Sequence, residues 1–333
     1  MSPLPSFLTS PPPHVGVEIA SDRVTAVSLE RQGSGWIVGG HGTERVAPGV
    51  VTPALNAVNV HDPRGLAAAV RSAFDRLGSR PRRVALVIPD TAAKLSLLRF
   101  DKVPPSAADL DQLIHWQMRK AAPFKHEDGQ LSWAAGAPLP GGGREYVVTL
   151  ARRDIVESYM QACADAGAEA GVVDIASLNL INAAIAAGTD ASADPSAGSG
   201  SPRAASSGDW LVVNVAPDYV TLAIVRNKDL IFFRTRQLEQ EGDLADIVHQ
   251  TAMYYEDRLG GGRFSRVLLS GAAARGAEIG ERLRRGLEER IGAKVEALDF
   301  RATAPMRDRI TAGADVLDTL APALGVVLRE RVA

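Results

Sequence analysis

Val15-Gly-Val-Glu-Ile-Ala-Ser-Asp-Arg-Val-Thr25 and Leu211-Val-Val-Asn-Val-Ala-Pro-Asp-Tyr-Val-Thr221 are two versions of one pattern. Five of their eleven aligned positions are identical, and each stretch has two β-branched runs around a short turn. This pattern is typical of a β-hairpin, and the run that follows each stretch can add a third strand. Two unrelated hairpins in an ordinary α/β protein would look similar. Because one such unit opens each half of the chain, we favour a duplicated fold with two lobes around a shared cleft.

The composition between the two patterns divides the chain. Residues 189–209 are rich in small polar residues and lack apolar periodicity, which predicts a flexible linker. The first lobe then covers residues 15–188, and the second, shorter lobe covers residues 210–333. Residues 1–14 contain a run of three prolines and predict a disordered arm. We therefore expect two folded parts joined by one linker.

Composition and charge exclude several classes of protein. The 333 residues are 46% hydrophobic, enough for a large core, and the net charge of -2 gives no reason to expect nucleic acid as a partner. The single cysteine, Cys163, cannot form an intramolecular disulfide and has the setting of a buried helix residue. Neither a basic leader nor an apolar run of ~20 residues is present, so we expect a cytoplasmic protein.

Local signals predict where two helices begin and end. Asp62 before Pro63 indicates a helix start, and Gly78 is a matching stop. Ser106 predicts the start of a second helix, which Pro123 should end. Apolar runs between and after these helices predict strands, as in an α/β protein.

A third landmark follows the second hairpin. Arg266-Val-Leu-Leu-Ser-Gly271 reads as a buried strand that ends in small residues before a helix, where a ligand can approach the backbone. Two hairpins followed by this strand–Ser–Gly–helix unit resemble the two phosphate segments and the adenosine segment of the actin-like ATPase superfamily. The resemblance implies an α/β, duplicated actin-like (ribonuclease-H-like) fold with two lobes.

Within that superfamily the chain is similar to the PilM family of type IV pilus assembly proteins. The motif Ile114-His-Trp-Gln-Met-Arg-Lys-Ala-Ala-Pro-Phe124 discriminates best, because sugar kinases and chaperone ATPases lack it. The resemblance covers almost the whole chain and implies a small α+β subdomain inserted in the first lobe at about residues 101–150. Further landmarks in the family's order are Ala85–Pro89, Val173–Ser177, Tyr254–Tyr255 and Leu320–Arg329.

The resemblance also implies a site for ATP and Mg²⁺ between the two hairpins. Relatives that bind ATP usually carry Asp-x-Gly in both hairpins. The carboxylates organise the metal, and the glycines let the phosphates reach backbone N–H groups. The candidate cofactor residues are Glu18, Ala20, Ser21, Asp22, Asn214, Ala216, Gly271 and Ala272.

This candidate site departs from the family pattern. Glu18 is one methylene longer than aspartate, and Ala20 adds a Cβ where the family has glycine. Asn214 brings no charge, and Pro217 has no N–H to donate to a phosphate. No residue stands out as a catalytic base, and no Cys or His pair has metal-ligand spacing. We expect ATP and Mg²⁺ to bind weakly or not at all, and hydrolysis to be absent.

The PilM resemblance implies a protein partner. A groove between residues 15–100 and 101–150 would receive the N-terminal peptide of a PilN-like membrane protein, as an extended chain with apolar anchors. Trp116, Lys120 and Phe124 are the candidate contacts, although Trp116 near Leu113 also fits a core residue. Pilus motor ATPases are further partners that the resemblance allows.

The function implied is that of a cytoplasmic scaffold in type IV pilus assembly and twitching motility. Its PilN-like partner would hold it at the inner face of the cytoplasmic membrane. Two alternatives stay open here: an ATP-binding actin-like ATPase of pilus assembly, and a cytoplasmic GspL-like component of a type II secretion system. Proteins of the GspL type normally continue into a transmembrane helix, which disfavours that alternative.

Overall fold

The computed structural model describes residues 12–190, 208–238, 243–307 and 312–332. Within these ranges the chain forms three β-sheets, two with five strands and one with three, together with seven α-helices. Most of the predicted arm and of the predicted linker lies outside them, so those two predictions stay predictions. No helix in the described ranges is long and apolar enough to span a lipid bilayer.

The elements are numbered along the chain. The strands are β1 (Val15–Ile19), β2 (Arg23–Gln32), β3 (Gly35–Arg45), β4 (Arg83–Ile88), β5 (Ala93–Phe100), β6 (Gly129–Pro138), β7 (Arg144–Arg152), β8 (Glu169–Ile175), β9 (Trp210–Val215), β10 (Tyr219–Arg226), β11 (Asp229–Gln237), β12 (Arg266–Ser270) and β13 (Val295–Ala297). The α-helices are α1 (Pro63–Leu77), α2 (Ala107–Arg119), α3 (Arg153–Asp165), α4 (Ala176–Asp190), α5 (Asp243–Leu259), α6 (Ala277–Ile291) and α7 (Ala314–Val332). α4 thus continues two residues into the segment predicted as a linker.

The two large sheets have the same topology. Their strand orders are β3-β2-β1-β4-β8 and β11-β10-β9-β12-β13. In each sheet the hairpin is antiparallel, and its first strand is parallel to the next strand inward, β1 to β4 and β9 to β12. The register also agrees, because Glu18 faces Thr25 and Asn214 faces Thr221. The prediction of a duplicated, two-lobed α/β fold is therefore confirmed.

Capping residues fix the helix ends that the sequence indicated. The Asp62 side chain caps the start of α1, and Gly78 closes this helix in a left-handed conformation with φ 74°. Ser106 caps the start of α2 through its side chain. α2 ends at Arg119, before the predicted stop at Pro123, because the intervening residues already form a turn.

The three-stranded sheet, in the order β5-β7-β6, belongs to the small subdomain inserted in the sequence between β4 and β8. α2 covers one face of this sheet. Tyr146, Val148 and Leu150 of β7 pack beneath α2, whereas the alternate residues Val147 and Thr149 lie on the other face, as the period of a strand requires. The helix contributes Leu110, Ile114 and Met118 to the apolar cluster.

α7 connects the two lobes. Near its start, Asp318 bonds to the second lobe. Further on, α7 approaches β1 so closely that a Cβ at Gly16 would lie 1.9 Å from the Ala323 carbonyl oxygen. Pro322 lies between these two contacts, inside the helix. Apolar side chains of α4 and α7 fill the space between the two large sheets and form the central core.

Candidate functional site

The two predicted hairpins meet across the cleft between the lobes. Ser21 in the first turn donates a hydrogen bond from Oγ to Asp218 Oδ1 in the second turn at 3.1 Å. The space enclosed by the hairpins, Gly271 and α7 has a volume of about 10 Å³, the room of roughly one water molecule. The hairpins therefore contact each other directly in this structure.

Six of the eight predicted cofactor residues line this cleft. They are Glu18, Ala20, Ser21, Asn214, Ala216 and Gly271. Asp22 is exposed outside the lining, where it accepts a hydrogen bond from Arg23 Nη1 at 3.1 Å. Ala272 is buried in the apolar core of the second lobe. The structure thus brings the two hairpins together but leaves these last two residues outside the cleft.

Glu18 is a buried carboxyl group without a full partner. Its Oε2 has no hydrogen-bond partner among the described residues, and Arg23 Nη2 lies 3.8 Å away. Burial raises the pKa of Glu18 to about 7, against the opposing effect of the Arg23 charge. The side chain is therefore only partly ionised at neutral pH in this closed cleft.

Asn214, at the equivalent position of the second hairpin, has a different environment. Its amide Nδ2 donates to Ser177 Oγ at 2.9 Å. The Ser177 hydroxyl in turn donates to a carboxylate oxygen of Asp90. An ionised aspartate at position 214 could not replace the amide, because the single proton of the Ser177 hydroxyl would face two acceptors. The amide therefore suits the hydrogen bonds that this position makes.

Asp90 is the centre of a buried network that joins the lobes. It accepts from the Ser177 backbone N–H at 2.9 Å and from Thr221 Oγ1 at 2.7 Å, in addition to the Ser177 hydroxyl. Its own backbone N–H donates to the Tyr219 hydroxyl at 3.2 Å. Burial raises the pKa of Asp90, and the bonds from Ser177 and Thr221 oppose that shift. We refer to Asp90, Ser177, Asn214 and Thr221 as the interlobe network.

The topology explains why these four groups meet. β4 and β8 are parallel neighbours, so their carboxyl ends lie at the same edge of the first sheet. Asp90 comes shortly after β4 and Ser177 shortly after β8, while Asn214 and Thr221 are paired across the second hairpin. The landmarks ending at Pro89 and Ser177 carried no predicted role, and the network was missed. Polar residues shortly after two apolar strand-like runs are the signal that could have revealed it.

A second carboxyl group lies on the side of the cleft where the family resemblance implied adenosine. Asp318 of α7 accepts from the Ala273 backbone N–H at 2.9 Å and from Ser270 Oγ at 3.3 Å. Gly271 has φ 81°, and a Cβ there would lie 2.2 Å from the Val215 carbonyl oxygen, so glycine is required. Burial raises the pKa of Asp318 to about 6. Asp318 of the protein itself therefore accepts the hydrogen bond from the Ala273 N–H, the backbone donor of this turn.

A separate groove lies in the first lobe, between the small sheet and β8. Its volume is about 330 Å³. Two sheet edges border it, because β6 is an outer strand of the small sheet and β8 an outer strand of the first large sheet. Ser132, Thr149, Val172 and Asp174 are among the residues that line it. Outer strands present main-chain N–H and C=O groups that an extended peptide can use.

The predicted partner contacts lie on the other side of the small sheet. Trp116 and Lys120 are exposed on the outside of α2 and at its end, and α2 packs on the sheet face opposite the groove. Trp116 is 57% exposed, so its interpretation as a core residue is wrong. Phe124 is half-buried against the apolar cluster beneath α2. The groove lining includes none of these three, and their role as partner contacts stays a prediction.

Other reactive side chains are few in the part of the chain that the structure describes. There, no three His, Cys, Asp or Glu side chains are grouped so as to hold a metal ion. Cys163 is fully buried in α3, as predicted, and burial raises the pKa of its thiol to about 12. A further cavity, of about 590 Å³, lies in the second lobe, and its lining includes Ala272, Ala273, Gly280 and Asp318.

Solved structures of other proteins have a similar fold. One is described as a PilM–PilN type IV pilus biogenesis complex; it is 16% identical, with a TM-score of 0.75, and the match covers 95% of this chain and 98% of that chain. Another is a Bacteroides thetaiotaomicron protein with an actin-like ATPase fold and unknown function, 11% identical, with a TM-score of 0.50 over 95% of this chain and 98% of that chain. At these identities the likeness shows the actin-like fold.

Sequence comparison adds the family. None of the curated protein sequences matches the chain. The family model described as type IV pilus assembly protein PilM, however, matches residues 16–258, which include both hairpins, the small subdomain and the interlobe network. This match covers well over half of the chain. The chain therefore belongs to the PilM family of type IV pilus assembly proteins.

Proposed function

We propose that this protein is a non-catalytic scaffold of the type IV pilus assembly complex, which binds the N-terminal peptide of a PilN-like membrane protein in the groove of its first lobe. The groove carries this proposal, because two outer strands border it and apolar side chains form part of its wall. An extended peptide could add main-chain hydrogen bonds to either strand and place alternate side chains in the groove. The PilM–PilN complex with the same fold supports a partner of this kind.

The same proposal accounts for where in the cell this chain would be held. A PilN-like partner anchored in the cytoplasmic membrane would hold this chain at the inner face of that membrane, on the cytoplasmic side. Pilus motor ATPases are proposed as further partners, on the family resemblance alone. The groove occupies only one side of the small sheet, so other surfaces stay available while it is filled.

We further propose that the cleft does not serve as a site for Mg-ATP. The residues present fit this group poorly: the hairpins enclose about 10 Å³, the Asn214 amide is engaged with Ser177, and Asp318 takes the backbone donor of Ala273. Glu18 has a pKa raised to about 7 and is only partly charged at neutral pH. No step of ATP hydrolysis is assigned to this chain.

Peptide binding tests the groove. Fluorescence anisotropy with the labelled N-terminal peptide of the PilN-like protein should show saturable binding to the wild-type chain. Ser132→Arg places a long cation in the groove and should weaken binding by roughly tenfold or more. Gln112→Arg, an exposed change on α2 across the small sheet, is the matched control and should bind normally. Equal binding by the Ser132 variant, or no binding by the wild type, would contradict the proposed groove.

Thermal unfolding with and without Mg-ATP tests the cleft separately. A ligand present at 100 times its Kd stabilises the folded state by about 2.7 kcal/mol, which would raise Tm by several degrees. We expect no such rise at millimolar Mg-ATP. A rise that requires Mg²⁺ would contradict the proposal for the cleft and would leave the groove proposal unaffected.

A further inference from the structure

We propose that Trp116, Arg119 and Lys120 form a second docking surface, distinct from the groove, for an acidic segment of another protein that also carries an apolar side chain. We refer to these three residues as the α2 surface. It does not depend on the groove being occupied, and it gives a role to the sequence motif around Trp116 that the groove does not use.

Trp116 is exposed on a helix whose apolar face is already buried against the small sheet. The apolar face of α2 packs in the core of the small subdomain through Leu110, Ile114 and Met118. Trp116 points the other way, is 57% exposed, and packs against none of the core clusters of the described residues. Isolated exposed apolar residues are ordinary, so exposure by itself proves nothing.

Lys120 contacts the exposed indole of Trp116. Its Nζ lies over the Trp116 ring, 5.0 Å from the ring centroid, which is the geometry of a cation–π contact. This contact orients the indole before any partner arrives and covers one of its faces. A partner that uses the remaining indole surface would therefore lose little side-chain entropy at this residue.

The charges beside the indole are positive and unpaired. Arg119 and Lys120 follow Trp116 by three and four residues, which places all three on one side of the helix end. Neither cation has a carboxylate partner within the described ranges, whereas Arg284 on α6 pairs with both Glu281 and Glu288. Unpaired cations around an aromatic anchor complement a segment with carboxylates next to an apolar side chain.

A protein segment fits this surface better than a lipid bilayer does. Helices that lie in the membrane interface present a broad apolar stripe to the lipid. The stripe of α2 is turned into the protein, so a single indole is all that α2 offers for insertion. Tryptophan and arginine are the residues most enriched at the centres of protein interfaces. Because α2 and the groove lie on opposite faces of the small sheet, both surfaces can be occupied together.

Selection from a random peptide library displayed on phage tests the chemistry of the partner. The library is selected on the full wild-type chain, and each enriched peptide is then assayed on four variants, two of them controls. We expect peptides rich in Asp or Glu with at least one large apolar residue. Their affinity should fall roughly tenfold or more in Trp116→Ala and in the double variant Arg119→Glu, Lys120→Glu. The controls are Tyr254→Ala, an exposed aromatic of the other lobe, and Arg263→Glu with Lys294→Glu, two exposed cations of that lobe; both should bind as the wild type does.

Three results would overturn the proposal. The first is that no enriched peptide depends on Trp116 or that the dependent peptides lack carboxylates. The second is Trp116-dependent binding to vesicles containing phosphatidylglycerol without binding to acidic peptides, which would make α2 a membrane contact. The third is self-association in sedimentation velocity that Trp116→Ala abolishes, which would make it a contact between copies of this chain. Since the substituted side chains are exposed, the circular dichroism and Tm of each variant should match those of the wild type.

Discussion

The two hairpins of this protein share a topology and a register, yet their central polar residues have opposite surroundings. Glu18 and Asn214 occupy equivalent positions, and each faces a threonine on the next strand. Asn214 is tied into the interlobe network through Ser177. Glu18 Oε2, by contrast, finds no hydrogen-bond partner in the described part of the chain. Duplication of the fold therefore did not preserve a symmetric site.

This difference shows that equivalent positions of the two hairpins are held by different contacts. In the second hairpin, the amide at position 214 suits a neighbour that is itself a donor to Asp90. In the first hairpin, the Glu18 carboxyl group has the Arg23 cation 3.8 Å away but no hydrogen-bond donor to Oε2 among the described residues, and burial favours its neutral form. The two positions should consequently respond to substitution in opposite directions.

Removal of Asp90 should have the largest effect. Asp90→Ala leaves the Ser177 backbone N–H and the hydroxyls of Ser177 and Thr221 without their acceptor in a buried setting. We expect the free energy of unfolding to fall by about 4 kcal/mol, as for a buried charged acceptor with several donors. Urea unfolding measures this, with Asp75→Ala on the surface of α1 as the control. A loss below about 1 kcal/mol would mean that the network does not hold the lobes together.

Glu18→Gln should stabilise the protein, and only at high pH. The folded-state pKa of about 7 lies above the ordinary 4.5, so the folded form holds its proton longer and stability is lost as pH rises from 4.5 to 7. Since each pKa unit is worth 1.36 kcal/mol, the variant should exceed the wild type by about 3 kcal/mol at pH 8 and match it near pH 4.5. Urea unfolding across pH measures this, with the exposed Glu157→Gln as the control. A gain that does not depend on pH would contradict the assignment to Glu18.

Asn214→Asp makes the second hairpin resemble the first. The new carboxylate would meet Ser177 Oγ, whose proton is already donated to Asp90. We expect a loss of about 2 kcal/mol at pH 8 that shrinks as the new group is protonated at acidic pH. Because the bonds from Ser177 and Thr221 to Asp90 do not involve position 214, we expect the cleft to stay closed and this variant to show no Mg-ATP shift. A shift gained by this one substitution would mean that the missing charge alone prevents binding.

Ser21→Ala should have the smallest effect. It removes the hydrogen bond from Ser21 to Asp218 across the mouth of the cleft, which is partly buried. A single bond of this kind contributes about 0.5–1 kcal/mol to the free energy of unfolding. Ser79→Ala, on an exposed residue after α1, serves as the control and should be neutral. An effect as large as that of Asp90→Ala would show that the turns, rather than the interlobe network, hold the hairpins together.

The sequence indicated the fold well, because its signals are local or repeated. The paired patterns at Val15 and Leu211 predicted the duplication, and Asp62 and Gly78 predicted both ends of α1. The cleft residues were grouped by resemblance, but the partners of Asn214 were not foreseen. Hydrogen bonds between segments far apart in the chain depend on how strands are ordered in the sheet, which no local pattern states.

Trp116 shows a different limit. Its spacing of three residues from Leu113 fits the buried face of α2 as well as a position beside that face. The rotation of the helix about its own axis decides between the two. Only the direction in which α2 packs on the small sheet settled the matter. The position of the groove relative to α2 was hidden for the same reason, since the two faces of a sheet alternate residue by residue.

The path of α7 has a consequence for motion between the lobes. One end of the helix is bonded to the second lobe through Asp318, and the stretch from Ala323 onward is pressed against the first. Any swing that parts the lobes must bend the helix between these anchors. Pro322 stands in that interval and lacks the N–H that would bond one turn back, so flexing costs least there. We therefore expect Pro322 to be the hinge of α7 in any movement of one lobe relative to the other.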